Sequence, residues 1–156
     1  MFKRVLAEYP DSSDVPAALE GLAEMYAGRG DYVNAEACYR QCLSSGRGLT
    51  TGYVDLALAE VLIASGRTDA LDEVQSLLDA VAARPFLFKI HKFRFCRAHA
   101  LLAARCGRPD VAREYAKHAL EIAADQSPDL PRHPTVGLVC IREEKLRELR
   151  KLAGES

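Results

Sequence analysis

Three groupings in this 156-residue chain set side chains with chemical potential at helical spacing. Cys38 and Cys42 stand four residues apart, and Cys96 and His99 three apart. Each pair can therefore turn two metal-ligating groups to one face of a helix. A closed zinc site needs four such ligands, and the tight Cys-x-x-Cys pairing that often supplies two of them is missing. Cys42 and His99 also fall where the periodicity asks for core residues, so packed side chains are the preferred reading and no metal is expected. The third grouping is basic. Lys89, His91, Lys92, Arg94, Arg97 and Arg105 are interleaved with Phe86, Phe88, Phe93 and Phe95. Guanidinium groups on one helix face suit carboxylates, which they meet through paired hydrogen bonds. Basic and aromatic residues in alternation also suit single-stranded nucleic acid. Here helical spacing sends most of the phenylalanines to the core, and nucleic acid is not the expected partner.

Whole-chain composition supports that restriction. Lys and Arg number 21 against 22 for Asp and Glu, a net charge of -1, so any electrostatic recognition has to be local. The chain has no G-x-S-x-G elbow, phosphate loop or dinucleotide fingerprint, and His91, His99, His118 and His133 have no sequence-evident triad partners. A non-enzymatic protein without cofactors is expected. No apolar run reaches the roughly 18 residues of a membrane span, and no signal-peptide pattern opens the chain. Five cysteines, Cys38, Cys42, Cys96, Cys106 and Cys140, are an odd number scattered over helical positions. They read as reduced thiols of a cytoplasmic protein.

The elements that position these residues are written in a repeated pattern. Gly30-Asp31-Tyr32, Gly66-Arg67-Thr68 and Gly107-Arg108-Pro109 each follow an apolar helical stripe and lead into a second helix with a small residue near its start. The three glycines lie 36 and 41 residues apart. A period in that range marks a solenoid of helix-turn-helix units, each burying its apolar face against its neighbours. The first unit, residues 15–45, pairs a helix from Val15 to about Tyr26 with one from Tyr32 to about Leu43. The second, residues 51–84, begins near Thr51, turns at Gly66 and returns from about Asp69 to Ala83, with Pro85 ending it. The third, residues 86–124, runs from about Phe86 to Arg105 and returns from Pro109 to Ala124. All of this predicts one all-α domain over residues 1–156.

On these residues the chain resembles the tetratricopeptide repeat family, whose unit has about 34 residues. The first unit carries the likeness most fully, at Leu19, Leu22, Ala23, Tyr26, Gly30, Tyr32, Ala35, Tyr39 and Leu43. The third matches in its second half, at Gly107, Ala112, Tyr115, Ala119 and Leu120. The second is the poorest match, with Leu71 or Ala70 serving as its small packing residue and no aromatic after it. The resemblance implies a right-handed superhelix of about three repeats, with the first helix of each pair lining a concave groove that binds a peptide or partner segment. On that face it places Glu20, Glu24 and Glu60 toward one end and Arg94, Arg97 and Arg105 toward the other. A protein partner carrying acidic groups or a terminal carboxylate would meet the arginines. The subclass that grips chaperone tails uses Lys and Asn, where this chain has Ala17, Glu20, Gly21 and Glu24, so that activity is not expected.

The ends carry separate expectations. Residues 1–10 resemble the second half of a repeat, with Phe2, Val5 and Leu6 inward and Pro10 closing it. They are expected either to cap the helix from Val15 to Tyr26 or to continue a longer solenoid. Residues 127–135 hold three prolines and predict a rigid connector. Residues 136–153 predict an amphipathic helix with Leu146, Leu149 and Leu152 on one face, capping the last repeat. Its other use would be a homodimer through the terminal helices. The alternative to groove binding is a scaffold or oligomerisation segment of a larger protein, such as the solenoid part of a bacterial regulator, acting through its ends.

Overall fold

The computed structural model describes residues 12–45, 50, 52–130, 132–133 and 138–155, together with Phe2, Leu6 and Glu8. Among these residues there are seven named helices and no strand: α1 (Val15–Gly28), α2 (Tyr32–Ser45), α3 (Val54–Ala64), α4 (Leu71–Ala82), α5 (Lys89–Arg105), α6 (Pro109–Ala124) and α7 (Glu143–Ala153). The fold is all-α and built from tetratricopeptide-like helix pairs. Where the sequence pattern reads as one run of repeats, the chain divides into two compact units, residues 1–81 and 82–156.

The three turn glycines behave alike. Gly30, Gly66 and Gly107 have φ of 78°, 78° and 66°, in the left-handed region where a Cβ is penalised. At the first and third turns the chain then closes with the same hydrogen bond, Asp31 N–H to the Tyr26 carbonyl (3.0 Å) and Arg108 N–H to the Ala103 carbonyl (2.9 Å). That bond satisfies a carbonyl at the end of the first helix and reverses the chain into the second.

In the first unit α1 packs on α2 and α2 on α3. Leu19, Ala23, Ala35 and Tyr39 are all buried, with Ala23 and Ala35 fully so, the small residues that let helices approach closely. Asp31 caps α2, its carboxylate accepting the Asn34 backbone N–H at 3.2 Å. Eight of the eleven residues of α3 are buried, as befits a helix that is apolar nearly all round. In the second repeat it is Ala70, not Leu71, that fills the small packing position, since Ala70 is buried and Leu71 is only partly so. Phe2 lies against α1. A Cβ built on Gly21 would come within 2.5 Å of the tip of the Phe2 ring, so a larger residue at 21 would make that ring shift. This agrees with the expected docking of the N-terminal segment. Val5 and Pro10, also expected to shape it, lie outside the described residues.

In the second unit α5 packs on α6, and α7 packs on α6 and touches α5. Ala112, Ala116 and Ala119 form the buried methyl-lined stripe of α6, which packs on α5, where Phe93, Ala100 and Leu102 are fully buried. Leu149 is completely enclosed on α7 and Ala153 nearly so, while Leu146 and Leu152 are half-buried. Burying Leu149 contributes roughly 2 kcal/mol. The apolar face of α7 is thus covered inside its own unit, as the capping role requires.

Three helix starts differ from the sequence reading by three residues or more. The last helix begins at Glu143, not near residue 136, because residues 138–142 are non-helical and Arg142 is extended (φ -61°, ψ 137°). Glu143 and Glu144 in its first turn and Arg150 and Lys151 in its last complement the helix dipole, which favours a helix starting there. Helix α5 starts at Lys89, not Phe86, since Phe88 is extended (φ -137°, ψ 151°). Helix α3 starts at Val54, after Gly52 at φ 80°, while Thr51 lies outside the described residues. Of the proline-rich connector, residues 127–130 and 132–133 are described and carry no helix; residues 131, 134 and 135 are not described.

Candidate functional site

Helix α5 is the chemically loaded element. Its five cations, Lys89, Lys92, Arg94, Arg97 and Arg105, have no acidic residue beside them on the helix. The acid-free stretch continues from residue 80 to 109, with seven Lys and Arg in it. At 100° per residue Arg94, Arg97 and Arg105 share one face, with Leu101 between them. That face is the one α5 leaves partly open: Arg94, Arg97 and Leu101 are half-buried and Arg105 is exposed, whereas Phe93, Phe95, Cys96, Ala98, His99 and Ala100 are buried.

Carboxylates from later in the chain meet part of this charge. Glu148 of α7 accepts a hydrogen bond from Arg97 at 2.7 Å, and the Arg97 side chain is 16% exposed, with its Nε buried and without a hydrogen-bond partner among the described residues. Lys89 is gripped by the connector. Its ammonium reaches Asp125 at 2.9 Å and the Ser127 carbonyl and hydroxyl, while its backbone N–H donates to the Asp129 carboxylate at 2.9 Å. Phe88 cannot cap α5 with its own side chain, so Asp129 does so from forty residues away. The Ser127 hydroxyl, then Lys89, hold the Asp125 carboxyl well below the usual carboxylate range. Among the described residues Lys92 and Arg105 have no such ion pair, and both are exposed.

The aromatic residues of α5 do not form a stacking platform for bases. Phe86 packs on Phe95 (5.1 Å between ring centroids), Phe95 meets the His99 ring edge-on (4.5 Å), and His99 stacks on Tyr115 of α6 (4.5 Å, 13°). His99, like Cys42, therefore sits in the core, 9% exposed. The Cys42 thiol donates to the Pro16 carbonyl at 3.4 Å, and burial, helped by the Glu20 charge, pushes it up to about 11. Burial likewise pushes Cys96 up to about 11. No group of three or more His, Cys, Asp or Glu residues gathers around a metal-sized space among the described residues.

The acidic candidates of the first unit fare unequally. Glu20 is 6% exposed, so it is not a solvent-facing contact residue. It lies one helical turn from Pro16, on the face of α1 that meets Cys42 of α2, whereas the resemblance placed it on the ligand-facing side of the groove. Glu24 is exposed and Glu60 is half-buried on α3. Sequence reasoning also missed Glu148, Asp125 and Asp129 as the partners of the basic helix. The signal was present as thirty residues without an acid followed by acidic residues in the connector and last helix.

Residues 18–51 match the tetratricopeptide repeat family. The matched segment covers α1 from Ala18 onward, the Gly30 turn and α2, the stretch in which the repeat's packing residues are most complete. No curated protein and no solved structure matches the chain. No described helix is long and apolar enough to cross a membrane.

Proposed function

We propose that this chain, whose residues 18–51 match the tetratricopeptide repeat family, is a non-enzymatic interaction module that holds an acidic segment of a protein partner along the open face of α5. The observation that carries this reading is the concentration of cations on one helix of a chain whose net charge is -1, with Arg94, Arg97 and Arg105 on a single partly open face around Leu101. A stripe of guanidinium groups about an aliphatic side chain suits carboxylates flanking an apolar residue. Glu148 shows how a carboxylate engages this face, since it already meets Arg97 from within the chain. Glu24 and Glu60 are the acidic contacts proposed for the first helices of the other unit. Glu20 is left out because it is buried. The five cysteines, all free thiols, support a reducing compartment, and we place the protein in the cytoplasm.

The test reverses two charges of that face, Arg94 and Arg105. Arg97 is unsuitable, because its loss would also strip Glu148 of its partner. Changing Arg94 and Arg105 together to Glu should reduce mass-spectrometric recovery of captured partner proteins from a native lysate by about tenfold. A tenfold loss corresponds to about 1.4 kcal/mol of binding. If every partner survives the double change, the α5 face is not the binding surface, and the scaffold reading, acting through the chain's ends, takes its place.

A further inference from the structure

A second surface lies at the start of α5, where two exposed leucines are held on a rigid base. Leu87 is 69% exposed and Leu130 43%. They are 43 residues apart in sequence, yet the segments carrying them are bound together. The Asp129 carboxylate caps the Lys89 backbone N–H, and the Lys89 ammonium holds Asp125 and Ser127.

Their orientation follows from the same geometry. Phe88 is extended, so neighbours along this segment alternate sides. Phe86 turns onto Phe95 and Phe88 onto His91 (5.9 Å), which sends Leu87 between them outward. Leu130 stands at the first position of a tight turn closed by the His133 N–H on its carbonyl at 2.9 Å, and that turn also presents Arg132 and His133 to solvent. The other exposed large apolar side chains described, Met25, Val33 and Leu43, all belong to the first unit. Single exposed leucines are unremarkable, but two on a base fixed by this many polar contacts form an anchor pair.

The surrounding charge selects the occupant. Lys92 lies one turn into α5 from Lys89, and Arg132 sits in the turn; both are exposed, and neither has an ion pair among the described residues. The carboxylates of the connecting segment, Asp125 and Asp129, are already engaged by Lys89. We propose that Leu87 and Leu130, flanked by Lys92 and Arg132, form a second docking surface that takes a short peptide segment with a large apolar side chain between acidic residues. This surface is separate from the Arg94–Arg105 face and does not depend on it.

Phage-displayed random dodecapeptides selected on the full chain provide the test, with the recovered peptides measured by fluorescence anisotropy. The expected result is enrichment of Asp and Glu beside a Leu, Phe or Ile. Binding should weaken about tenfold in the L87D/L130D double variant and several-fold in K92E/R132E. It should persist in R94E/R105E, which separates this surface from the one proposed above. Both leucines are exposed, so circular dichroism of the double variant should match the parent. Peptides that still bind L87D/L130D, or that are lost only with R94E/R105E, overturn the proposal. So does a light-scattering dimer, or pelleting with vesicles containing one-quarter anionic lipid, that disappears in the same double variant, because the occupant is then a second copy or a membrane.

Discussion

The two units handle charge in opposite ways. In the first, acids and bases alternate at short range. Arg40 on α2 binds Glu36 on its own helix (2.9 Å) and forks onto both oxygens of Glu73 on α4 (2.6 and 2.8 Å), while Arg67 in the intervening turn bridges Glu36 (3.1 Å) and Asp69 (2.8 Å). The cause is visible in the neighbours. The Arg40 hydrogen bond holds the Glu73 carboxyl below its usual range, and the Arg67 hydrogen bond does the same for Asp69. In the second unit the basic helix has no acids of its own and is answered by a connector and a terminal helix. A helix whose charges are met locally presents a neutral face. One whose charges are met from a distance, and incompletely, presents a field, and that difference is the basis on which α5 rather than α2 is proposed as the binding face.

The largest expected effect tests whether the tail is integral to that second unit. Leu149 is completely enclosed where α7 covers α6. Leu149→Ala should cost about 3 kcal/mol by removing the buried side chain and leaving a cavity. Amide exchange should quicken in α6 and α7 while α1 to α3 keep their protection. Equal quickening in all helices would mean that the units open together, and the comparison would lose its basis.

How far the sequence revealed this depends on the range of each interaction. The helix pairs were legible because Gly30, Gly66 and Gly107 and the apolar stripes act within one or two turns, and α6 was placed from Pro109 to Ala124 without error. Errors of two to seven residues arose where a distant or extended segment decides. Helix α5 starts at Lys89 because Asp129 caps it, and no local pattern announces an acceptor forty residues on. Of the six candidate contact residues, the structure leaves Arg94, Arg105, Glu24 and Glu60 at least partly open to solvent, gives Arg97 to Glu148 and buries Glu20. A charged residue reads as surface in a helical pattern, and Glu20 misled because α1 packs on more of its circumference than one stripe.

That tertiary cap supplies the next test. Asp129→Ala removes the acceptor for the Lys89 N–H and a negative charge at the N-terminus of α5, and should lower stability by about 1 kcal/mol. Asp31→Ala removes the equivalent, locally supplied cap of α2 and should cost a similar amount. The two should differ in reach. Loss of Asp31 should loosen the first turn of α2 alone, whereas loss of Asp129 should also release residues 125–130 to faster amide exchange. Confinement of the second effect to α5 would show that the connector is held by the Lys89 side chain alone.

The smallest effect compares the ion pairs themselves. Arg40 and Glu73 are 43% and 38% exposed, and solvent screening limits such a pair to about 0.2–1 kcal/mol despite its bidentate geometry. Arg97 is 16% exposed, with a buried Nε, so its bond to Glu148 is screened on one side only. Double-mutant cycles should give the Arg97–Glu148 pair the larger coupling, by roughly twofold, and the one that survives better in 1 M salt, where the Debye length shrinks to about 3 Å. Removing Glu148 alone should cost more than removing Glu73 alone, because it leaves an enclosed guanidinium without its carboxylate, whereas Arg40 keeps Glu36. Equal couplings, falling equally with salt, would place both pairs at the solvent boundary and leave the excess of uncompensated cations on α5 as the sole electrostatic distinction between the two units.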